Sequence, residues 1–177
     1  MRYRRILEPG GTFFFTVVTY KRRKLFVHQE PIDLLLKVTD EIRKRHHFVV
    51  VALAILPDHI HAIWELPPDD PDYPTRWRLI KTGFTRLLPA INDPLIPASH
   101  KNKNERTIWQ RRYWEHTIRD DRVLDYHIDY IHFNPVHHGL VKYPHEWRYS
   151  TFLRFVEDGY YPIDWATSDI YKGIRSE

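Results

Sequence analysis

The pattern of apolar and polar positions divides the first part of the chain into strands and a helix. Residues 10–20 begin with two glycines and continue with aromatic and β-branched side chains, which predicts a strand. In residues 30–45 apolar side chains recur at helical spacing with charges opposite them, which predicts an amphipathic helix. The unbroken apolar run 47–56 predicts a central strand buried on both faces. Residues 59–66 follow a Pro-Asp interruption and predict a further strand, antiparallel to the preceding one if the turn is tight.

The middle of the chain predicts a second helix, a loop and a short strand. Thr75 is predicted to cap a helix over residues 76–88. Residues 89–106 contain three prolines and many polar side chains, which is typical of an exposed loop. A short strand is predicted within residues 108–118.

A third helix is predicted over residues 123–134. Asp120 and Asp121 are expected to begin it, and Pro135 is expected to end it because proline disfavours helical geometry at the preceding residue. Strands that alternate with amphipathic helices, with at least one antiparallel pair, indicate an α+β fold built on one main sheet. The 177-residue chain is predicted to form a single domain whose last part, from about residue 137, wraps the core.

Composition narrows the classes of protein that the chain can belong to. It contains no cysteine, which excludes disulfide frameworks, thiolate zinc sites and cysteine nucleophiles. No apolar run approaches the roughly 20 residues that a membrane span needs, and the first residues lack the apolar stretch of a signal peptide. We therefore expect a soluble cytoplasmic protein that does not enter a membrane.

Basic residues occur in short clusters beside aromatic ones, although the net charge of +4 is modest. Such clusters suit phosphate contact combined with base stacking, and a solvated surface explains them equally well at this point. On the second predicted helix, basic side chains at helical spacing indicate one basic face. The candidate DNA-contacting residues are Arg4, Arg5, Lys21, Arg22, Arg23, Lys24, Arg76, Arg78, Lys81, Arg111 and Arg112.

The segment PDHIH places two histidines two residues apart in a predicted strand. Because residues i and i+2 of a strand point to the same face, His59 and His61 should project side by side while Ile60 enters the core. Two imidazoles so placed form a site for a divalent cation, although ordinary sheet histidines would give the same pattern.

In the third predicted helix, Tyr126, Tyr130 and Asn134 are spaced by four and share one face. The pattern is explained either by packing at the edge of the core or by a phenol and an amide that reach a metal. Tyrosine is a poor nucleophile at its usual pKa of about 10, so the second interpretation requires an activated electrophile.

These motifs together resemble the single-tyrosine HUH transposases, and more specifically the REP-associated tyrosine transposases, a bacterial family related to insertion-sequence transposases. The resemblance extends over nearly the whole chain. Its segments, in the order of the family, are GGTFFFTVVTYKRR, LPDHIHAIWELP, RWRLIKTGFTR, WQRRYWEHTIRD, DYIHFNPVHHGLV and WRYSTF.

The resemblance implies an HUH endonuclease-like fold, a ferredoxin- or RRM-like sandwich with helices packed on a central antiparallel sheet. It implies that Tyr130 is the nucleophile and that His59, His61 and Asn134 hold Mg²⁺ or Mn²⁺. Related insertion-sequence enzymes commonly carry glutamine where this chain has Asn134. We further expect Glu115 and His116 to support the site, to contact DNA or to be structural. His132, His137 and His138 are expected at the surface, and Trp64 and Trp77 in the core.

The implied activity is metal-dependent cleavage and rejoining of single-stranded DNA at REP hairpins through a 5′-phosphotyrosine intermediate. The partner is then hairpin DNA in the bacterial cytoplasm, at the nucleoid, and the protein is a monomer or a homodimer. Two alternatives stay open: a domesticated hairpin-binding protein that no longer cleaves, and a metal-dependent nuclease that uses water.

Overall fold

The computed structural model describes residues 8–88 and 108–166, in which four strands and four helices are formed. The predicted loop 89–106 lies outside the described residues. In chain order the elements are β1 (Thr12–Val18), α1 (Gln29–Arg45), β2 (Val49–Ile55), β3 (His59–Glu65), α2 (Tyr73–Leu87), β4 (Trp114–Ile118), α3 (Asp121–His137) and α4 (Phe152–Glu157). None of the helices within these ranges is long and apolar enough to cross a lipid bilayer.

The four strands form one sheet in the order β2-β3-β1-β4, and every neighbouring pair is antiparallel. The predicted α+β fold with a central antiparallel sheet is therefore confirmed. β2 and β3 are joined by a tight turn in which the Leu56 amide donates to the His59 carbonyl over 2.8 Å. The register between β1 and β3 places Thr16 opposite His61.

The prediction that the run 47–56 is a central strand buried on both faces is wrong. β2 is at the edge of the described sheet and begins with Val49, which is 54% exposed, whereas β3 is buried from His59 to Trp64. A continuous apolar run indicates that the faces of a strand are covered, but it does not show whether the strand lies at the centre or at the edge of the sheet. The outer edge of β2 is covered by a later segment, because Ile55 and Leu53 exchange backbone hydrogen bonds with Tyr149 and Thr151.

Alternation along the strands separates the interior into two layers. Phe13 and Phe15 face a core formed with α1 and α2, whereas Phe14 and Ile63 face a second core beneath α3 and α4. In the first layer the indole rings of Trp64 and Trp77 stack with centroids 4.2 Å apart, so both are packing residues as predicted. The second layer is the side of the sheet that carries His59 and His61.

The start of α2 differs from the prediction. The helix begins at Tyr73, and the carboxylate of Asp72 caps it by accepting the Thr75 amide over 2.9 Å. Thr75 therefore lies inside the first turn and is not the cap. Pro74 fits this turn because the first amides of a helix have no intrahelical acceptor.

The end of α3 also differs from the prediction, since Pro135 lies inside the helix, which continues to His137. The start is as expected, because the side chain of Asp120 caps the helix through the Val123 amide over 2.9 Å. Proline removes one backbone donor, but Pro135 is buried against the sheet side and the His138 amide still bonds to the Asn134 carbonyl. Packing of the last turn outweighs the local preference.

Candidate functional site

β3 places His59 and His61 on the face of the sheet that α3 covers. Both side chains are buried, at 4% and 3% exposure, and their ring centroids lie 4.8 Å apart. Ile60 points into the opposite core, so the predicted alternation is confirmed. The two imidazoles are held side by side in a pocket largely shielded from water.

Each histidine ring is oriented through its Nδ1 atom. The Nδ1 of His59 lies 2.6 Å from the Asp58 carboxylate, and the Nδ1 of His61 lies 3.0 Å from the Thr16 hydroxyl. A carboxylate only accepts hydrogen bonds, so His59 donates from Nδ1 and keeps its lone pair on Nε2. Metal-binding histidines are commonly oriented in this way by a carboxylate or another acceptor.

Burial and neighbouring charges keep this part of the site in defined protonation states. Burial, reinforced by the nearby histidines, holds the pKa of His61 well below its usual value, so the ring is neutral at neutral pH. Burial of Asp58 acts to raise its pKa, but the hydrogen bond with His59 and the charge of Arg22 outweigh that effect and hold it below the usual value. A neutral imidazole such as His61 keeps a nitrogen lone pair with which it can bind a cation.

α3 brings Tyr130 against this pair. Its ring centroid lies 5.1 Å from that of His61 and 5.9 Å from that of Phe14, on which both rings rest. Tyr126, one turn earlier, is 49% exposed and packs its ring against His127 instead. Of the two tyrosines on this face, Tyr130 is the one in contact with the histidine pair.

A cleft of about 340 Å³ opens between the sheet and α3. Arg22 reaches it from the turn after β1, where its guanidinium lies 3.3 Å from Asp58 and its backbone adopts a left-handed conformation with φ of 52°. The cleft thus combines the histidine pair with three further imidazoles, two phenols and the guanidinium of Arg22. Its walls include His59, His61, Tyr130, Arg22, Trp114 and His127.

Asn134 lies deeper than this cleft. Its side chain is 2% exposed on the buried side of α3, and among the described residues its Oδ1 has no hydrogen-bond partner. Burying a polar oxygen without a partner costs about 1–3 kcal/mol, so this atom calls for a donor or a cation. Asn134 is not one of the residues that line the cleft walls.

His59 and His61 supply only part of the ligand set that a divalent cation needs. The described ranges contain no group of three or more His, Cys, Asp or Glu side chains arranged to hold a metal ion. Two imidazole nitrogens therefore need oxygen ligands from elsewhere, and the orphaned Asn134 Oδ1 and a phosphate group are both suitable.

The prediction that Arg76 contacts DNA is wrong. Its side chain is 1% exposed and donates to the His47 carbonyl over 2.7 Å and to the Asp70 carboxylate over 2.8 Å. The sequence contains the relevant signal, because Arg76 falls within the apolar stripe of α2 formed by Tyr73, Trp77 and Ile80. A basic residue on the buried face of a helix must be satisfied internally.

The other basic candidates have several environments. Lys21, Lys24 and Arg78 are exposed, as are Arg111 and Arg112 before β4. Arg23 is half-buried, and the Lys81 ammonium donates to the Gln110 carbonyl over 2.6 Å. Arg4 and Arg5 lie outside the described residues.

Glu115 and His116 lie on opposite faces of β4. Glu115 is paired with Phe15 and accepts from the Tyr73 hydroxyl over 3.3 Å, so it faces the layer of α1 and α2 and cannot support the histidine pair. His116 faces α3 and stacks on His127 with centroids 5.2 Å apart. Because side chains alternate along a strand, only His116 lies on the same face of the sheet as the histidine pair.

The surface position predicted for His132 is also wrong. It is fully buried on the inner face of α3, where its Nε2 lies 2.8 Å from the Thr151 hydroxyl. Burial, with the charge of Arg154, lowers its pKa to about 3. His137 and His138 are exposed as expected, but both line the cleft, and the His138 ring lies 5.1 Å from that of His59.

Sequence reasoning missed three contributors to the site: Asp58, Thr16 and Phe14. Asp58 directly precedes the histidine pair, and a carboxylate beside a candidate ligand is a signal for an orienting role. Thr16 and Phe14 are recognisable only from the strand register and the position of α3, neither of which the local pattern specifies.

Comparison with known proteins gives consistent matches. Residues 12–134 match the family described as "Transposase IS200 like". A REP-associated tyrosine transposase of Escherichia coli is 40% identical over 175 residues, covering 98% of this chain and 96% of its own. A relative from Haemophilus influenzae is 42% identical over 164 residues, covering 93% of this chain and 92% of its own. A solved structure of a REP-associated tyrosine transposase bound to a REP hairpin has a TM-score of 0.78 and 37% identity, covering 100% of this chain and 99% of that one.

Proposed function

The chain belongs to the IS200-like transposases, within the REP-associated tyrosine transposases, and we propose that it cleaves and rejoins single-stranded DNA through Tyr130. The observation that carries this proposal is the contact between the Tyr130 ring and His61, with centroids 5.1 Å apart, in a cleft that also contains His59. A phenol that only packs at the edge of the core need not touch the histidine pair, whereas a nucleophile and its activating site must be adjacent.

The reaction assigned to Tyr130 is an in-line displacement at phosphorus. Its phenolic oxygen bonds to the phosphorus while the bond from phosphorus to the 3′-oxygen breaks. The phenol gives up one proton and the departing 3′-oxygen takes one, so a 5′-phosphotyrosine and a free 3′-hydroxyl result. The same steps in reverse, with a 3′-hydroxyl as nucleophile, rejoin strands without ATP.

Mg²⁺ or Mn²⁺ is the cofactor that we propose for this site. The Nε2 atoms of His59 and His61 would hold it, with the buried oxygen of Asn134 as the candidate third ligand. When bound there, the cation would draw charge from the phosphate and favour attack. Asp58 and Thr16 fix the imidazole rings through their Nδ1 atoms, so the site is oriented before any ligand arrives.

We propose a REP hairpin with an unpaired flank as the DNA partner. The support is the solved relative, which is bound to a REP hairpin and is 37% identical over the full chain. Exposed basic residues near the cleft would contact the phosphates, and Arg22 is the one that lines it.

The test is a covalent-adduct assay on labelled hairpin DNA with Mn²⁺. A label on the 3′ side of the cut should migrate with the protein on a denaturing gel, and a label on the 5′ fragment should migrate free. Tyr130→Phe removes only the attacking oxygen and should abolish the adduct while hairpin binding survives. Tyr126→Phe is the matched control and should still form it.

The same assay distinguishes the alternatives. Cleavage without an adduct in the wild type, unaffected by Tyr130→Phe, would assign the reaction to a metal-activated water. Hairpin binding without cleavage in any divalent cation would identify a domesticated binding protein. An adduct lost in Tyr126→Phe and kept in Tyr130→Phe would move the nucleophile to Tyr126.

A further inference from the structure

We propose that Trp114 stacks on an unpaired nucleobase of the nucleotide next to the scissile phosphate. This inference rests on the proposed function, because it places the base beside the cleft in which Tyr130 reacts. It adds a base-binding position to a site otherwise made of a nucleophile, a cation site and phosphate contacts.

Phe14 places Trp114 next to the reacting group. The Phe14 ring lies beneath the cleft, with its centroid 5.5 Å from that of Trp114, 5.9 Å from that of Tyr130 and 5.5 Å from that of His61. The indole and the phenol therefore lie one ring apart on the same support. A DNA strand whose phosphate meets Tyr130 would carry its neighbouring base to the indole.

The rings next to Trp114 already form a stack that a base would extend. The Trp114 and His116 rings are 5.8 Å apart and inclined by only 5°, and His116 and His127 are 5.2 Å apart and inclined by 18°. Trp114 ends this run and is 43% exposed, so part of its indole is open to solvent. An aromatic plane exposed in a cleft suits a nucleobase, since every base presents a π-face.

The charge around β4 favours DNA over a second protein chain. Arg111 and Arg112 precede the strand, Arg119 follows it, and all three are exposed. Cations at both ends of an aromatic position suit a phosphate backbone that enters and leaves beside a stacked base. A partner chain at this edge would instead require a neutral or acidic complement to these arginines.

The experiment uses a REP hairpin with 2-aminopurine placed at one unpaired flanking position at a time, bound to Tyr130→Phe so that no cleavage occurs. At one position adjacent to the cut, binding should quench the 2-aminopurine fluorescence. Trp114→Leu keeps an apolar side chain on Phe14 but removes the π-face. It should abolish the quenching and weaken binding of the flanked hairpin by about tenfold, the expected value of one stacked base. Trp114→Phe should restore most of both signals.

Two controls isolate the stacking interaction. Leu153→Ala shortens an equally exposed apolar residue on α4 and should change neither signal. A hairpin without unpaired flanks should bind Trp114→Leu as tightly as the parent protein. Equal quenching and affinity in the leucine variant and the parent, or a change in oligomeric state without a change in DNA binding, would overturn the proposal. Adduct formation in the Tyr130-intact protein is scored separately, so its absence would contradict the proposed function and leave the fluorescence result interpretable.

Discussion

Residues outside the predicted ligand set determine how the imidazole rings of His59 and His61 are oriented. Asp58 holds His59 at 2.6 Å and is itself paired with Arg22 at 3.3 Å, so the ring orientation depends on a chain of two polar contacts. Partners of this kind typically change metal affinity by about 10- to 100-fold when they are removed. The affinity of the site for a metal therefore depends on these orienting residues as well as on the ligands themselves.

Asp58→Asn should weaken Mn²⁺ binding by roughly 10- to 100-fold in the absence of DNA. The neutral amide oxygen is a weaker acceptor than the carboxylate, and the NH2 group of asparagine can donate to Nδ1 instead. His59 therefore loses the acceptor-only partner that keeps its lone pair on Nε2. Titration of Mn²⁺ followed by electron paramagnetic resonance measures the effect directly. Asp40→Asn, at an exposed position of α1, is the control, and equal affinity in the two variants would show that Asp58 does not orient His59.

Arg76, unlike Asp58, has a structural role. Arg76→Met should lower the free energy of unfolding by about 1–3 kcal/mol, since the His47 carbonyl is left without its buried donor. The Asp70 carboxylate, 41% exposed, can be solvated when its partner is removed. Arg78→Met, at an exposed position of the same helix, should change the free energy of unfolding by less than about 0.5 kcal/mol. Urea denaturation measures both, and equal stabilities of the two variants would refute the structural role.

At the scale of elements, α3 makes different contacts on two of its faces. One face presents Tyr130 to the cleft, and the other buries His132 against Thr151, in the segment that covers the edge of β2. The helix that carries Tyr130 is thereby fixed beside the edge of the sheet by a neutral histidine. Protonation of that histidine would oppose its burial.

The His132 contact predicts an acid-sensitive fold. The pKa of His132 is lowered from 6.5 to about 3 in the folded protein, so between these values the unfolded chain binds the extra proton. Its contribution to stability is complete above about pH 6.5 and is lost as the pH falls toward 3, by up to about 1.4 kcal/mol per pH unit.

Chemical denaturation in EDTA between pH 7 and pH 5 measures this slope. His132→Gln keeps a hydrogen-bonding group but cannot titrate, so its stability should fall less steeply than that of the wild type. Thr151→Val keeps the histidine and should lower stability at every pH without flattening the slope. An identical slope in wild type and His132→Gln would exclude His132 as the acid-sensitive group.

The local sequence pattern predicted which helices and strands form better than it predicted where they end and which elements they pack against. Periodicity identified α1, the β2-β3 pair and the shared face of His59 and His61, because spacing alone determines which side chains align. The extension of α3 through Pro135 and the edge position of β2 depend on tertiary packing. The burial of His132 and Arg76 likewise depends on partners at Thr151 and His47, which lie far away in the sequence.

At the scale of the whole molecule, the sheet separates a structural layer from a functional one. The layer of α1 and α2 contains the stacked indoles and Arg76, whereas the layer of α3 contains the histidine pair, Tyr130 and the cleft. The exposed lysines Lys21 and Lys24 lie in the turn that carries Arg22 to the rim of this cleft. DNA is expected to approach from that side.

The double variant Lys21→Ala/Lys24→Ala should weaken hairpin binding and reduce its salt dependence. Each lost phosphate contact should lower the slope of log affinity against log salt by about 0.7 for single strands and 0.9 for duplex. Arg22 is left intact because it pairs with Asp58. Binding measured at several salt concentrations gives the slope, and an unchanged value would assign these lysines to a solvated turn.

The arrangement of the site within one chain leads to a test on mixtures. Tyr130 contacts His61 of its own chain. A His59→Ala chain therefore lacks a histidine of the proposed site, and a Tyr130→Phe chain lacks its tyrosine. If the helix and the histidines of the same chain act together, mixing the two inactive proteins should restore no adduct at any ratio. If the tyrosine of one chain served the histidines of another, an equal mixture would regain up to about a quarter of wild-type activity. Half of the randomly exchanged pairs would then be mixed, and each mixed pair would contain one intact site of two. Adduct formation in the mixture, measured beside size-exclusion profiles of each variant with hairpin DNA, therefore decides between a self-sufficient chain and a shared active site.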